Sequence, residues 1–138
     1  MNPYQAYQAG KSASWTRIDM LLALYDGAVE RLELAMQAYE RNDATEARRL
    51  WTRAWLIVAQ LAAGLNFEHG ELPQNLGRLY QFCLSRIRLG TPAGLADALR
   101  ILRTLREGFR GIRPGAIALE RQGVIPALDS DTGLRFTA

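Results

Sequence analysis

The chain has 138 residues, 49% hydrophobic and 22% charged, with a net charge of +3, which is room for one domain with an adequate core. No apolar run approaches the roughly 20 residues a membrane span needs, and the polar start MNPYQAYQAGKSAS has no secretory apolar region, so a cytoplasmic protein without membrane insertion is expected. A single cysteine, Cys83, rules out an internal disulfide and fits a reducing compartment.

Residues 1–15 read as a flexible leader, broken by Pro3 and Gly10 and carrying Tyr4 and Tyr7. These tyrosines are either scattered aromatics in a disordered arm or part of a short segment that docks on the protein's own surface and can be displaced. Thr16 and Asp19 have capping-box spacing, so a first helix is expected from Arg17 to Arg41. Ile18, Leu21, Leu24, Tyr25, Ala28, Leu32, Ala35, Met36 and Tyr39 recur at helical spacing and predict its core face. Met20, Ala23, Gly27, Leu34 and Ala38 form a second, thinner apolar strip. Gly27 costs about 1 kcal/mol against Ala in a helix interior, which points to close approach of another backbone there.

Asn42-Asp43 makes a short connection, and Asp43 caps a second helix from about Ala44 to Leu65. Ala47, Leu50, Trp51, Ala54, Ile57, Val58, Leu61 and Leu65 lie on its core face. Its second half, AWLIVAQLAAGL from Ala54 to Leu65, is apolar nearly all round. Trp55, Leu56, Ala59, Ala62 and Ala63 fall off the core face. Such a stretch is either the central helix of a bundle or a helix whose second face a partner covers. Asn66 to Gly70 is a loop, and His69, the single histidine, is expected on its surface.

A third helix is expected from Leu72–Pro73 to about Leu89, with Leu72, Leu76, Leu79, Tyr80, Cys83 and Ile87 inward and Phe82 pointing elsewhere. Cys83 therefore reads as a buried structural thiol. Thr91 caps a fourth helix with Pro92 at its first position. That helix is expected to end at Gly111, before Pro114-Gly115, with Leu95, Ala98, Leu102, Leu105 and Phe109 inward. In the remaining tail, residues 114–138, Ala116–Gln122 has the makings of one or two helical turns. The rest is loose, or docked through Val124, Ile125 and Leu128. The expected fold is all-α: an antiparallel up-down-up-down four-helix bundle over residues 16–113, with a flexible leader and a loose tail.

Arginine supplies sixteen of the seventeen basic residues. Seven of them (Arg86, Arg88, Arg100, Arg103, Arg106, Arg110, Arg113) face only Asp97 and Glu107 between residues 86 and 113, a local surplus of +5. The patch suits an acidic partner or nucleic acid, but without interleaved aromatics it reads first as a solvated helix face, and nucleic acid is disfavoured. No phosphate loop, nucleophile–base set or metal-ligand set is legible, so neither an enzyme nor a cofactor is expected.

Several stretches resemble the FliS family of flagellar secretion chaperones. Leu24-Tyr-Asp-Gly-Ala28 resembles that family's LYDGA signature. A Tyr-bearing leader precedes it, and Asn42-Asp43 stands where the family has Gly-Asp. Arg53-Ala54 with Ile57 and Leu61 resembles its second helix. Glu68-His-Gly-Glu-Leu-Pro-Gln-Asn75-Leu76, then Leu79-Tyr80, resembles the passage that opens its third, and Leu105-Arg-Glu-Gly-Phe109 the end of its last. The likeness spans about residues 4–113. One Gly of the family's pair is missing before Glu71, and Arg17 and Pro73 replace its usual residues.

The resemblance implies a chaperone that holds the C-terminal segment of flagellin in an apolar groove, prevents premature polymerisation and delivers it to a component of the flagellar type III export gate. Trp55, Leu56, Ala59, Ala62 and Ala63 are the leading groove residues, with Tyr25, Asp26, Gly27, Asn75, Tyr80 and Phe82 as further candidates. Tyr4 and Tyr7 would occupy the groove when no client is bound. A monomer or weak homodimer is expected. The alternatives are a helical adaptor using the arginine face for an acidic partner or nucleic acid, and a self-associating structural bundle.

Overall fold

The computed structural model describes residues 16–65 and 71–124. Four helices account for nearly all of them: α1 (Arg17–Glu40), α2 (Ala44–Ala63), α3 (Glu71–Arg88) and α4 (Pro92–Arg121). Each packs on its chain neighbour and α4 closes the ring on α1, giving the expected up-down-up-down bundle. The leader, the 66–70 loop with His69, and the tail beyond Val124 lie outside the described residues.

The helix starts follow the sequence closely. Thr16 Oγ1 accepts from the Asp19 N–H at 3.3 Å while the Asp19 carboxylate accepts from the Thr16 N–H, closing the capping box. Asp43 accepts from the Glu46 N–H at 3.1 Å and Thr91 from the Gly94 N–H at 3.1 Å, each satisfying an orphan donor of a first turn. Between α1 and α2 the chain reverses on Asn42, at φ 59. The Asp43 N–H reaches Ala38 O and the Asn42 N–H reaches Tyr39 O, the paired bonds of a Schellman turn.

The core is built from the predicted stripes plus Val29 and Leu99, which no stripe included, while Leu79 is only half-buried, and three further corrections apply. Met20 and Ala38, assigned to the thinner strip of α1, are buried, because α1 packs against both α2 and α4 and so hides a broader face. Leu72, assigned to the α3 stripe, is 62% exposed: it sits in the first turn, beyond the layer that Leu76 closes. The third correction concerns the end of α4, which continues through Pro114 to Arg121. Proline removes one backbone hydrogen bond and usually breaks a helix interior. Here contacts to α1 on both sides of it hold the helix together. Arg110 reaches Asp26 at 3.2 Å, Arg113 reaches Asp19 at 2.8 Å, and the Glu120 carboxylate accepts the Arg17 N–H at 3.1 Å. Arg17 is the first residue of α1, so Glu120 supplies both an acceptor and a negative charge where the helix dipole is positive.

The close backbone approach expected at Gly27 occurs elsewhere. A Cβ on Gly27 would meet only the Arg31 guanidinium and the Ile57 side chain, both at 3.4 Å. At Gly94 a Cβ would lie 2.4 Å from the Arg86 carbonyl oxygen, so glycine is what lets α4 begin against the end of α3. Gly90, in the same turn, has φ +68, and its missing Cβ makes room for the Trp51 ring at 2.9 Å.

Candidate client-binding groove between helices two and three

The Ala54–Leu65 stretch resolves into two unlike faces. Ala54, Val58 and Leu61 are buried in the core, and Ile57 packs toward α1. Trp55, Ala59 and Ala62 lie along the flank toward α3 and are half-buried, and Ala63 beside them is exposed. The helix is thus a corner of the bundle, not its centre, and its second apolar face is uncovered.

That flank runs into an open trough of about 750 Å³ between α2 and α3. Ala62, Ala63 and Gly77 make a floor of small residues, and Gln74, Arg78 and Gln81 supply a polar rim from α3. Small side chains keep the two helices from filling the seam themselves. Among the described residues no ion pair crosses it. Trp51 and Trp55 each bury an indole N–H with no hydrogen-bond acceptor, a state that costs roughly 1–3 kcal/mol per group. An apolar floor and a polar rim suit an amphipathic helical peptide.

The other candidate residues sit elsewhere. Tyr25 and Tyr80 are core residues, 0% and 1% exposed, with hydroxyls hydrogen-bonded to each other at 2.5 Å. Tyr25 also stacks on Phe109, with ring centroids 5.6 Å apart. Burial pushes the Tyr80 hydroxyl up to about 12 and raises Tyr25 further above the ordinary tyrosine range, so both stay neutral. Cys83 is buried as expected, its thiol likewise pushed up to about 12. Leu56 is exposed in a separate depression on the outside of α2, among Arg49, Thr52 and Arg53. Phe82 lies on the α3 flank toward α4, one turn before Arg86, which pairs with Asp97 of α4 at 2.8 Å. Asn75 is exposed near the trough, and its side-chain oxygen accepts from Arg78 at 3.4 Å. Tyr4 and Tyr7 lie outside the described residues.

Asp26 belongs to a different feature, one the sequence did not reveal. Among the described residues four ion pairs join α4 to α1: Arg103 to Glu33 at 2.6 Å, Arg106 and Arg110 to Asp26 at 3.3 and 3.2 Å, and Arg113 to Asp19 at 2.8 Å. The arginine face stays largely solvated, as expected, but four of its seven arginines also pair with α1. Burial pushes the Asp19 carboxyl up, but hydrogen bonds from Arg113 and Thr16 outweigh it and hold the group below its ordinary range.

Among the described residues, no cluster of His, Cys, Asp and Glu could hold a metal, and no helix is long and apolar enough to cross a membrane. The chain is similar to the flagellar secretion chaperone FliS of Bacillus subtilis (strain 168), with 31% identity over 86 residues, 62% of this chain. The matched part spans 64% of that relative's length. The family model described as "Flagellar protein FliS" matches residues 1–116, which include the whole α2–α3 trough and both walls of the α1–α4 seam up to Arg113. The chain belongs to the FliS family.

Proposed function

We propose that this protein is a cytoplasmic secretion chaperone that holds the C-terminal segment of flagellin in the α2–α3 trough. The single observation that carries the reading is the open seam: an apolar flank of α2 faces Gly77 and the polar rim of α3, and among the described residues no ion pair closes the gap. Membership of the FliS family, with a Bacillus relative named as a flagellar secretion chaperone, supports a flagellar export client. No catalysis is needed. The client lays the apolar side of a helix on Trp55, Ala59, Ala62 and Ala63, and its polar side meets Gln74, Arg78 and Gln81. Ordering a disordered client costs about 2–5 kcal/mol, which burial of about 1,000–3,000 Å² offsets. A covered segment is kept from polymerising and is handed on to the export gate. Tyr4 and Tyr7 act as a displaceable cover for the groove.

The adaptor reading loses weight, because Arg103, Arg106, Arg110 and Arg113 are engaged with α1. Titration with a synthetic C-terminal segment of the same organism's flagellin, by calorimetry at low and high salt, tests the proposal. Binding with a large negative heat-capacity change and little salt dependence is expected. Ala63→Asp, at an exposed trough position, should weaken it at least tenfold (about 1.4 kcal/mol) without loss of helicity. Binding that collapses with salt, or no binding in either buffer, would remove the apolar-groove reading.

A further inference from the structure

The core stripe of α4 runs farther than the core. From Leu102 it continues through Leu105, Phe109, Ile112, Ala116 and Leu119 in alternating steps of three and four, the spacing of a helix face meant to be covered. Burial does not follow. Leu102 is fully buried and Leu105 and Phe109 are half-buried, but Ile112 is 55% and Leu119 41% exposed. The cause is helix length. α3 starts at Glu71, and the Arg86–Asp97 and Cys83–Ala98 contacts fix its antiparallel register, so its first turn reaches only about the 109–112 turn of α4. Beyond that point α1 covers only the flank carrying Arg113 and Glu120. Exposed Leu72 adds to the uncovered strip from the α3 side.

The end of α4 indicates what lies there. Gly123 takes φ +80, its N–H bonds Glu120 O at 3.1 Å, and the Val124 N–H bonds Leu119 O at 3.0 Å. These are the two bonds of a Schellman turn, which reverses the chain and commonly sets the residue after the glycine against the one five positions back. Here the backbone bond joins Val124 to Leu119, both side chains still exposed, so the chain turns back beside the strip residue. We propose that residues 125–138 fold back over the Ile112–Leu119 strip as an intramolecular strap. Ile125, Leu128, Leu134 and Phe136 are the apolar residues available to it. Fourteen residues reach up to roughly 45–50 Å when extended, and the helix from Leu119 back to Leu105 is only about 21 Å long. The family match ends at residue 116, so Leu119 and the turn lie beyond it. The inference is independent of the flagellin proposal, since the strip lies on the α4 side and the trough between α2 and α3.

A nitroxide on Leu128→Cys in the full chain tests it by paramagnetic broadening of amide signals, with the Cys83 thiol buried and out of the reagent's reach. Residues 112–119 should lose more than half their intensity, independently of protein concentration. Leu119→Asp, exposed enough to leave the fold intact, should restore the signals while far-UV helicity stays unchanged. Four results would overturn the strap: no broadening of any helix, broadening along the α2–α3 trough, broadening that appears only between separate copies in a mixed sample, or broadening of 112–119 by a label on Tyr7→Cys and not by the one on Leu128→Cys.

Discussion

Helix α4 and helix α2 are both amphipathic, yet they meet their neighbours differently. α4 is held by charge on two sides, through the four ion pairs to α1 and through Asp97, which takes Arg86 of α3 at 2.8 Å. Across the α2–α3 seam no ion pair is found among the described residues, and two alanines and a glycine floor it beneath a rim of Gln74, Arg78 and Gln81. Exposed ion pairs contribute only about 0–1 kcal/mol each, so the ladder's main effect is on specificity. It fixes the register of α4 on α1 and lines that seam with charge. The α2–α3 seam keeps apolar surface open. A bundle that closes some seams and leaves one open presents an apolar trough without any cavity in its core.

The contrast can be broken most forcefully where α4 begins. Gly94→Ala puts a Cβ against the Arg86 carbonyl oxygen, and overpacking against backbone should cost about 3 kcal/mol. Thermal denaturation should register a fall of roughly 10 °C, at about 2–4 °C per kcal/mol for a chain of this size. An unchanged midpoint would mean that the α3–α4 turn relaxes freely and that α4 is not tightly set.

A smaller effect is expected at the other end of the ladder. Asp19 both completes the capping box and takes Arg113, so Asp19→Asn should cost about 1–2 kcal/mol at pH 7. The sign with pH follows from its lowered pKa. The carboxylate's contribution is fully present above the unfolded value near 3.9 and is lost as pH falls through the lower folded value. Denaturant midpoints of the two proteins should therefore differ at neutral pH and converge below about pH 4. Parallel curves down to pH 2 would deny Asp19 its electrostatic role.

The smallest effect belongs to the open seam. Ala63→Gln places a larger polar side chain in the trough, and at an exposed position it should shift stability by no more than about 0.5 kcal/mol. A loss comparable with that of Gly94→Ala would show that the seam is packed and not available.

Much of this was legible in the chain because it is local. Capping boxes, the proline at the start of α4 and the helical stripes depend on residues a few positions apart, and the four helices follow from them. The flank Trp55, Ala59, Ala62 was legible for a related reason: apolar residues off the core face stand out on a helical wheel. The other wall of the trough was not, since Gln74, Gly77, Arg78 and Gln81 read as an ordinary polar face, with mid-helix Gly77 as the one available signal. The ladder escaped because its partners are 70 to 94 residues apart in sequence. An arginine run and a separate acidic face do not announce that they meet. The end of α4 escaped because Pro114 carries a strong local stop signal that contacts to α1 override. Gly27 drew attention by its helix-interior position, whereas the glycine that does permit close approach, Gly94, looked like part of a turn.

The most direct test of the central contrast is to map the flagellin C-terminal segment onto the full chain by amide chemical-shift perturbation. The account predicts shifts concentrated between Trp55 and Ala63 and between Gln74 and Gln81, with the ladder residues from Arg103 to Arg113 unmoved. Shifts centred on the α1–α4 seam, with the α2–α3 trough silent, would contradict it.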